Sequence, residues 1–238
     1  IAGVDVLTVD GAGGGTGMSP WHMMNEWGVP TLYIASLTYN YVHKLASKGQ
    51  YVPDIILAGG FAFEDDIFKA MALGAPYVKA VGMARSPLCA AHVGKLVADQ
   101  INKNTIDKTI EPYGKKIDEV FVLASRVKRL FGSNGKEVPA GALGVYSYYQ
   151  RLSQGLRQLM CGSRKFALEY LTRDDVVTLT REAAEVTGLK YIMEADSEEA
   201  EQILMGKEKT KSKIVAKVKP KATSKPRARA KDKGKKKK

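Results

Sequence analysis

The chain has 238 residues, 45% hydrophobic and 26% charged, with a formal net charge of +12 and two cysteines. That is enough for one large or two small domains with a substantial core. Cys89 and Cys161 can build neither a disulfide framework nor a thiolate metal cluster, which fits a reducing cytosol and a cytoplasmic protein. No apolar run has the length of a membrane span or the pattern of a secretory leader.

Charge is unevenly placed. Residues 207–238 carry sixteen of the 37 Lys and Arg but two of the 25 Asp and Glu, so a body of net charge −2 leads into a tail of +14. The basic character belongs to the tail and describes nothing of the body.

Val4–Val9 is apolar and β-branched and predicts a buried strand, ending on Asp10. Five glycines follow within Gly11–Gly17. Neither frame completes G-x-G-x-x-G, because Thr16 and Met18 stand where the third glycine belongs, and no Lys is near for a P-loop. A tight turn needs fewer glycines, so close approach to a ligand is the favoured reading. Pro20–Trp27 predicts a short helix broken at Val29-Pro30. Thr31–Leu37 is apolar and β-prone, whereas Thr38–Ser47 reads as helix and stops at Gly49. Pro53-Asp54 introduces IILAGG, a second buried strand closing on Gly59-Gly60. Glu64–Leu73 predicts a helix with three acids in its first turn and Gly74 as its C-cap. Tyr77–Val81 is a third buried strand, ending at Gly82, and Ser86–Gln100 a further helix. Strand, glycine and helix thus recur three times. That is the grammar of an α/β fold with a parallel sheet covered on both faces, and its strand ends are where such folds bind ligands.

From Gly141 the pattern is helical. Tyr146–Met160 places Leu152, Leu156 and Leu159 on one stripe, and Thr172–Asp175 resembles a capping box opening a helix to about Gly188. Beyond Gly206, Lys, Ala and Pro alternate without period, the composition of a disordered tail.

The pieces DGAGGGTGMSP, LAGGFAFEDDIFKAMALGA and VGMARSP, in that order, resemble the FMN-binding domain of glutamate synthase, especially the stand-alone FMN-binding glutamate synthase-like proteins. In that family they are the last three strands of a (β/α)8 TIM barrel with their following loops. The helical stretch from Gly141 is similar to the extension after the barrel, so the resemblance covers roughly residues 1–200. It implies the C-terminal part of an FMN-binding barrel over 1–100, a mostly helical extension over 101–205 and a disordered Lys-rich tail over 206–238.

The resemblance also implies an FMN-dependent oxidoreductase of the glutamate synthase type, making glutamate from 2-oxoglutarate and ammonia with electrons passed through the flavin. Barrels often hold a phosphate in the loops after strands seven and eight. By the resemblance, Asp10, Gly11, Gly14, Gly15 and Thr16 flank the flavin ring. Gly59, Gly60, Gly82, Met83 and Ala84 hold its phosphate. Arg85 adds charge there or is simply a surface residue. No catalytic residue is assigned.

Two departures stand out. Glutamate synthases usually carry an acidic residue where Gly13 stands, and closely spaced cysteines after strand eight hold an iron–sulfur cluster. Here Cys89 is alone, and one thiolate holds no cluster, so electrons must enter differently. The chain also opens at Ile1 without the strands that would complete the flavin and substrate sites. It reads as a fragment of a longer protein or as a piece docking on a partner, and alone it is expected to bind FMN poorly.

Two rival readings remain. One is another FMN-linked barrel oxidoreductase with a different substrate. The other is a non-enzymatic remnant whose tail binds nucleic acid or an anionic surface by counterion release, the tail being equally readable as a solvated terminus. His22, His43 and His92 are too scattered for a metal site. Trp21 and Trp27 read as packing residues rather than ring-stacking ones, and both cysteines as buried thiols. Lys79 lines a barrel interior or reaches solvent.

Overall fold

The computed structural model describes residues 3–12, 18–132 and 137–206. Gly14, Gly15 and Thr16 of the glycine loop, and the basic tail from Lys207, lie outside the described residues. The chain divides into two compact units, Ile1–Ala195 and Asp196–Lys238.

The first unit is α/β. Its strands β1 (Val6–Asp10), β2 (Asp54–Ala58) and β3 (Val78–Gly82) form a parallel sheet in the order β1-β2-β3. Between them lie the helices α1 (Trp21–Asn25), α2 (Thr31–Ser47) and α3 (Glu64–Leu73), and α4 (Arg85–Asn102) follows. After α4 the chain is helical: α5 (Ile117–Val120), α6 (Ala124–Phe131), α7 (Ala140–Gly162) and α8 (Arg181–Thr187). In the second unit the described residues contain α9 (Ser197–Leu204).

Central β2 makes the heart of the sheet. Ile55 and Leu57 are 0% and 1% exposed, and they pack with Ala35 and Val42 of α2 and with Phe68, Met71 and Leu73 of α3. Met160 and Leu171, from beyond residue 140, complete that cluster. A second cluster joins Val97, Ala98 and Ile101 of α4 to Val127 of α6 and Leu143 of α7. The helix α3 has the expected ends: Glu64, Asp65 and Asp66 in its first turn and Gly74 as C-cap. Phe63 at the N-cap has no side-chain oxygen to offer, and the Asp66 carboxylate instead accepts from the backbone N–H of Ala62 and Phe63, each at 3.0 Å.

Several expectations need correction. β1 is not buried: Val6 is 52% exposed, and Val4 and Leu7 are exposed as well. Among the described residues β2 is its one strand neighbour, so one edge and much of its side-chain surface stay open. Thr31–Leu37 is not extended but forms the first two turns of α2. The fixed φ of Pro30 suits a helix entry, and one apolar face runs on to Val42. The Thr172–Asp175 capping box is real, yet it closes a single 3-10 turn, Arg173–Asp175. The β-branched run Val176-Val177-Thr178 leaves the helix, Thr178 bridges to Tyr191, and α8 starts afresh with the Thr180 hydroxyl accepting from Ala183. Cys89 and Cys161 are exposed rather than buried. Trp21 and Trp27 are 61% and 76% exposed and do not serve as core packing.

One cation fastens the end of the first unit to the strand–helix layer. Arg173 donates to the Leu73 carbonyl at the end of α3 (2.6 Å) and to the Thr187 carbonyl at the end of α8 (2.5 Å). Its guanidinium lies over the Tyr39 ring at 3.9 Å, and burial draws its pKa down. Arg173→Met keeps the bulk but leaves both carbonyls unmet. Its expected cost is about 2–3 kcal/mol, read as an earlier urea midpoint with an unchanged slope.

Candidate functional site

The register of the sheet creates the site. Asp10 pairs with Ala58, and Ala58 with Gly82, so the three strands end on one row. Loops leaving that row enclose an open cleft of about 900 Å³, a size typical of ligand sites. Asp10, Gly59, Gly60, Gly82, Met83, Ala84 and Arg85 all line it. Gly11 is instead buried: its N–H donates to the Ala58 carbonyl at 2.8 Å, and a Cβ on it would sit 2.4 Å from the Thr31 hydroxyl.

The loop after β2 is held in a form that side chains rarely tolerate. Gly59 has φ +111° and Gly60 φ +78°. Thr31 donates its hydroxyl to the Gly59 carbonyl at 2.7 Å, and a Cβ on Gly59 would come within 2.7 Å of the Gly11 nitrogen. The backbone is therefore bare on the cleft side and tightly seated behind. After β3, the chain turns through Gly82–Ala84 into α4, whose N-cap is Ala84. No side chain caps that helix. Its first N–H groups and the positive end of its dipole face the cleft, with Arg85 adding a cation. Together these groups suit an anion such as a phosphate. Lys79 takes no part: it is exposed, and its ammonium reaches back to the Pro76 carbonyl at 2.7 Å, away from the row.

Two further lining residues carried no signal at sequence level. Ser86, in the first turn of α4, donates its hydroxyl to the Phe61 carbonyl at 2.8 Å. Tyr148, on α7, donates to the Ala62 carbonyl at 2.5 Å from 86 residues away. Burial raises the Tyr148 pKa above the ordinary phenol value, with the Ser86 hydrogen bond acting the other way, so the hydroxyl keeps its proton. What brings α7 so near is glycine. A Cβ on Gly94 of α4 would lie 2.8 Å from the Gly144 Cα of α7, and one on Gly144 would lie 2.4 Å from the Ala90 carbonyl oxygen. Small residues on both helices were the available clue to that crossing. Cys89, one turn into α4, also lines the cleft.

Comparison with known proteins gives a consistent answer for this part of the chain. Residues 1–105 match the family model described as the conserved region in glutamate synthase. The chain is similar to the archaeal glutamate synthase [NADPH] of Archaeoglobus fulgidus, 37% identical over 79 residues, covering 32% of this chain and 15% of the relative. It is also similar to the archaeal-type glutamate synthase [NADPH] of Dehalococcoides mccartyi, 29% identical over 92 residues, with 39% and 18% covered. The enzyme of the same name from Thermotoga maritima is 33% identical over 78 residues, with 32% and 15% covered. The matched part thus spans less than a fifth of the length of these relatives. No solved structure matches the chain. The three in-register strand ends, the glycine loop after β2 and the uncapped helix α4 lie inside the matched residues, so the similarity to glutamate synthases falls on the part of the chain that builds the cleft.

Proposed function

We propose that the chain forms the last three strand–helix units of an FMN-binding (β/α)8 barrel, in an oxidoreductase that makes glutamate by reductive amination of 2-oxoglutarate. The observation that carries this reading is the single row Asp10–Ala58–Gly82, from which Asp10 and the loops after β2 and β3 open on one cleft. The exposed apolar side chains of Val4, Val6 and Leu7 support it further, because the other strands and helices of a barrel, packed on both faces of β1, would cover them.

The residues fit the cofactor. Gly59 and Gly60 expose backbone where a side chain would intrude, and α4 offers its first N–H groups with Arg85 beside them. These groups would hold the phosphate. Asp10 sets a carboxylate at the β1 end of the cleft, on the side assigned to the ring. Once bound, FMN supplies the electron transfer, and the protein contributes orientation and charge. The names of the relatives point to NADPH as the electron source.

The test uses the full-length product of the natural gene. It is expected to purify yellow, to release FMN on heating, and to oxidise NADPH only with 2-oxoglutarate and ammonia both present. A colourless protein that takes up no FMN overturns the flavin reading. Bound FMN without turnover of that substrate pair leaves a barrel oxidoreductase of another substrate.

A further inference from the structure

We propose that Tyr148, on the helix that follows the strand–helix units, is a positioning residue for the phosphate end of this cleft. Its hydroxyl fixes the loop after β2 to α7 while that of Ser86 fixes the same loop to the start of α4, so that a phosphomonoester meets both segments in one geometry. The proposal rests on the flavin reading above for the identity of that phosphomonoester, FMN.

A phosphate approaching the Gly59–Phe63 loop is attracted by N–H groups and repelled by carbonyl oxygens. The loop carries two carbonyls that must be turned away, Phe61 and Ala62. Each is claimed by a hydroxyl: Phe61 by Ser86 at 2.8 Å, Ala62 by Tyr148 at 2.5 Å. Behind them, the Asp66 carboxylate accepts from the Ala62 and Phe63 N–H groups, so the far half of the loop is pinned from both sides. Tyr148 therefore ties the β2 loop to α7, itself seated on α4 through Gly94 and Gly144, while Ser86 ties the same loop to the first turn of α4. Tyr148 also lines the cleft, as do Ala84 and Arg85. Without the hydroxyl the Ala62 carbonyl has no donor and the loop is free to present oxygen to the anion.

Tyr148→Phe, made in the full-length protein, removes the hydroxyl and keeps the ring. FMN affinity is expected to fall about tenfold, the value of one well-placed hydrogen bond. Riboflavin, which lacks the phosphate, is expected to bind with unchanged affinity, and the melting temperature to fall by only a few degrees. Ser86→Ala, which removes the other hydroxyl of the pair, is expected to show the same selective loss. Unaltered FMN affinity in both variants, or an equal loss for FMN and riboflavin, overturns the role given to Tyr148 while leaving the flavin reading intact. A wild-type protein that binds neither flavin overturns both.

Discussion

Gly144→Val is expected to unseat α7 from α4 and to destabilise the first unit by about 3 kcal/mol or more. The added Cβ would fall 2.4 Å from the Ala90 carbonyl oxygen and 2.9 Å from the Gly94 Cα. Both are backbone atoms inside a helix, so no side-chain rotation relieves the contact. The helices must separate, opening the cluster that contains Val97, Ala98 and Leu143. For a unit of this size the loss corresponds to a fall of roughly 6–12 °C in melting temperature. Gly162→Ala is the control on the same helix: a Cβ there meets nothing within 4 Å, and the change is expected to be neutral or slightly stabilising. Similar losses for the two variants would show that the α4–α7 approach is not what the glycine secures.

Gly59→Ala is expected to cost about 3 kcal/mol, close to twice the cost of Gly60→Ala. Both residues have positive φ, a backbone penalty of about 1–2 kcal/mol for a side chain. Only Gly59 adds a collision, at 2.7 Å with the Gly11 nitrogen and 2.8 Å with its carbonyl oxygen, whereas a Cβ on Gly60 has 3.8 Å to its nearest neighbour. Urea unfolding of the two variants measures the difference. Relief of the Gly59 clash pushes β1 from β2 where Gly11 donates to Ala58, so the row of strand ends loosens as well. Equal midpoints for the two variants would mean that Gly11 yields without cost and that backbone conformation alone matters.

The elements legible from sequence were those whose signals are local and agree with one another. β2 announces itself by an unbroken apolar run ending in two glycines, and α3 by its acidic first turn and Gly74. Thr31–Leu37 misleads because its residues satisfy a strand locally, while the helix gains from a partner they do not encode, the α2 face packed on β2 and α3. The exposure of Trp21, Trp27 and both cysteines depends on what covers a surface, which residue type does not reveal. In the cleft, strand-end glycines were visible because bare backbone needs glycine. Ser86 and Tyr148 were not, since a hydroxyl bonded to a carbonyl leaves no spacing in the chain.

The reach of Tyr148 and Arg173 bears on the order of assembly during synthesis. Ala62 emerges 86 residues before the tyrosine that holds it, and Leu73 precedes Arg173 by 100. At translation speeds of ~5–20 residues per second, the loop waits for its clasp for roughly 4–17 s. Until then the nascent chain displays unclaimed carbonyls and the apolar flank of α3, so this interval is when a chaperone has most to shield.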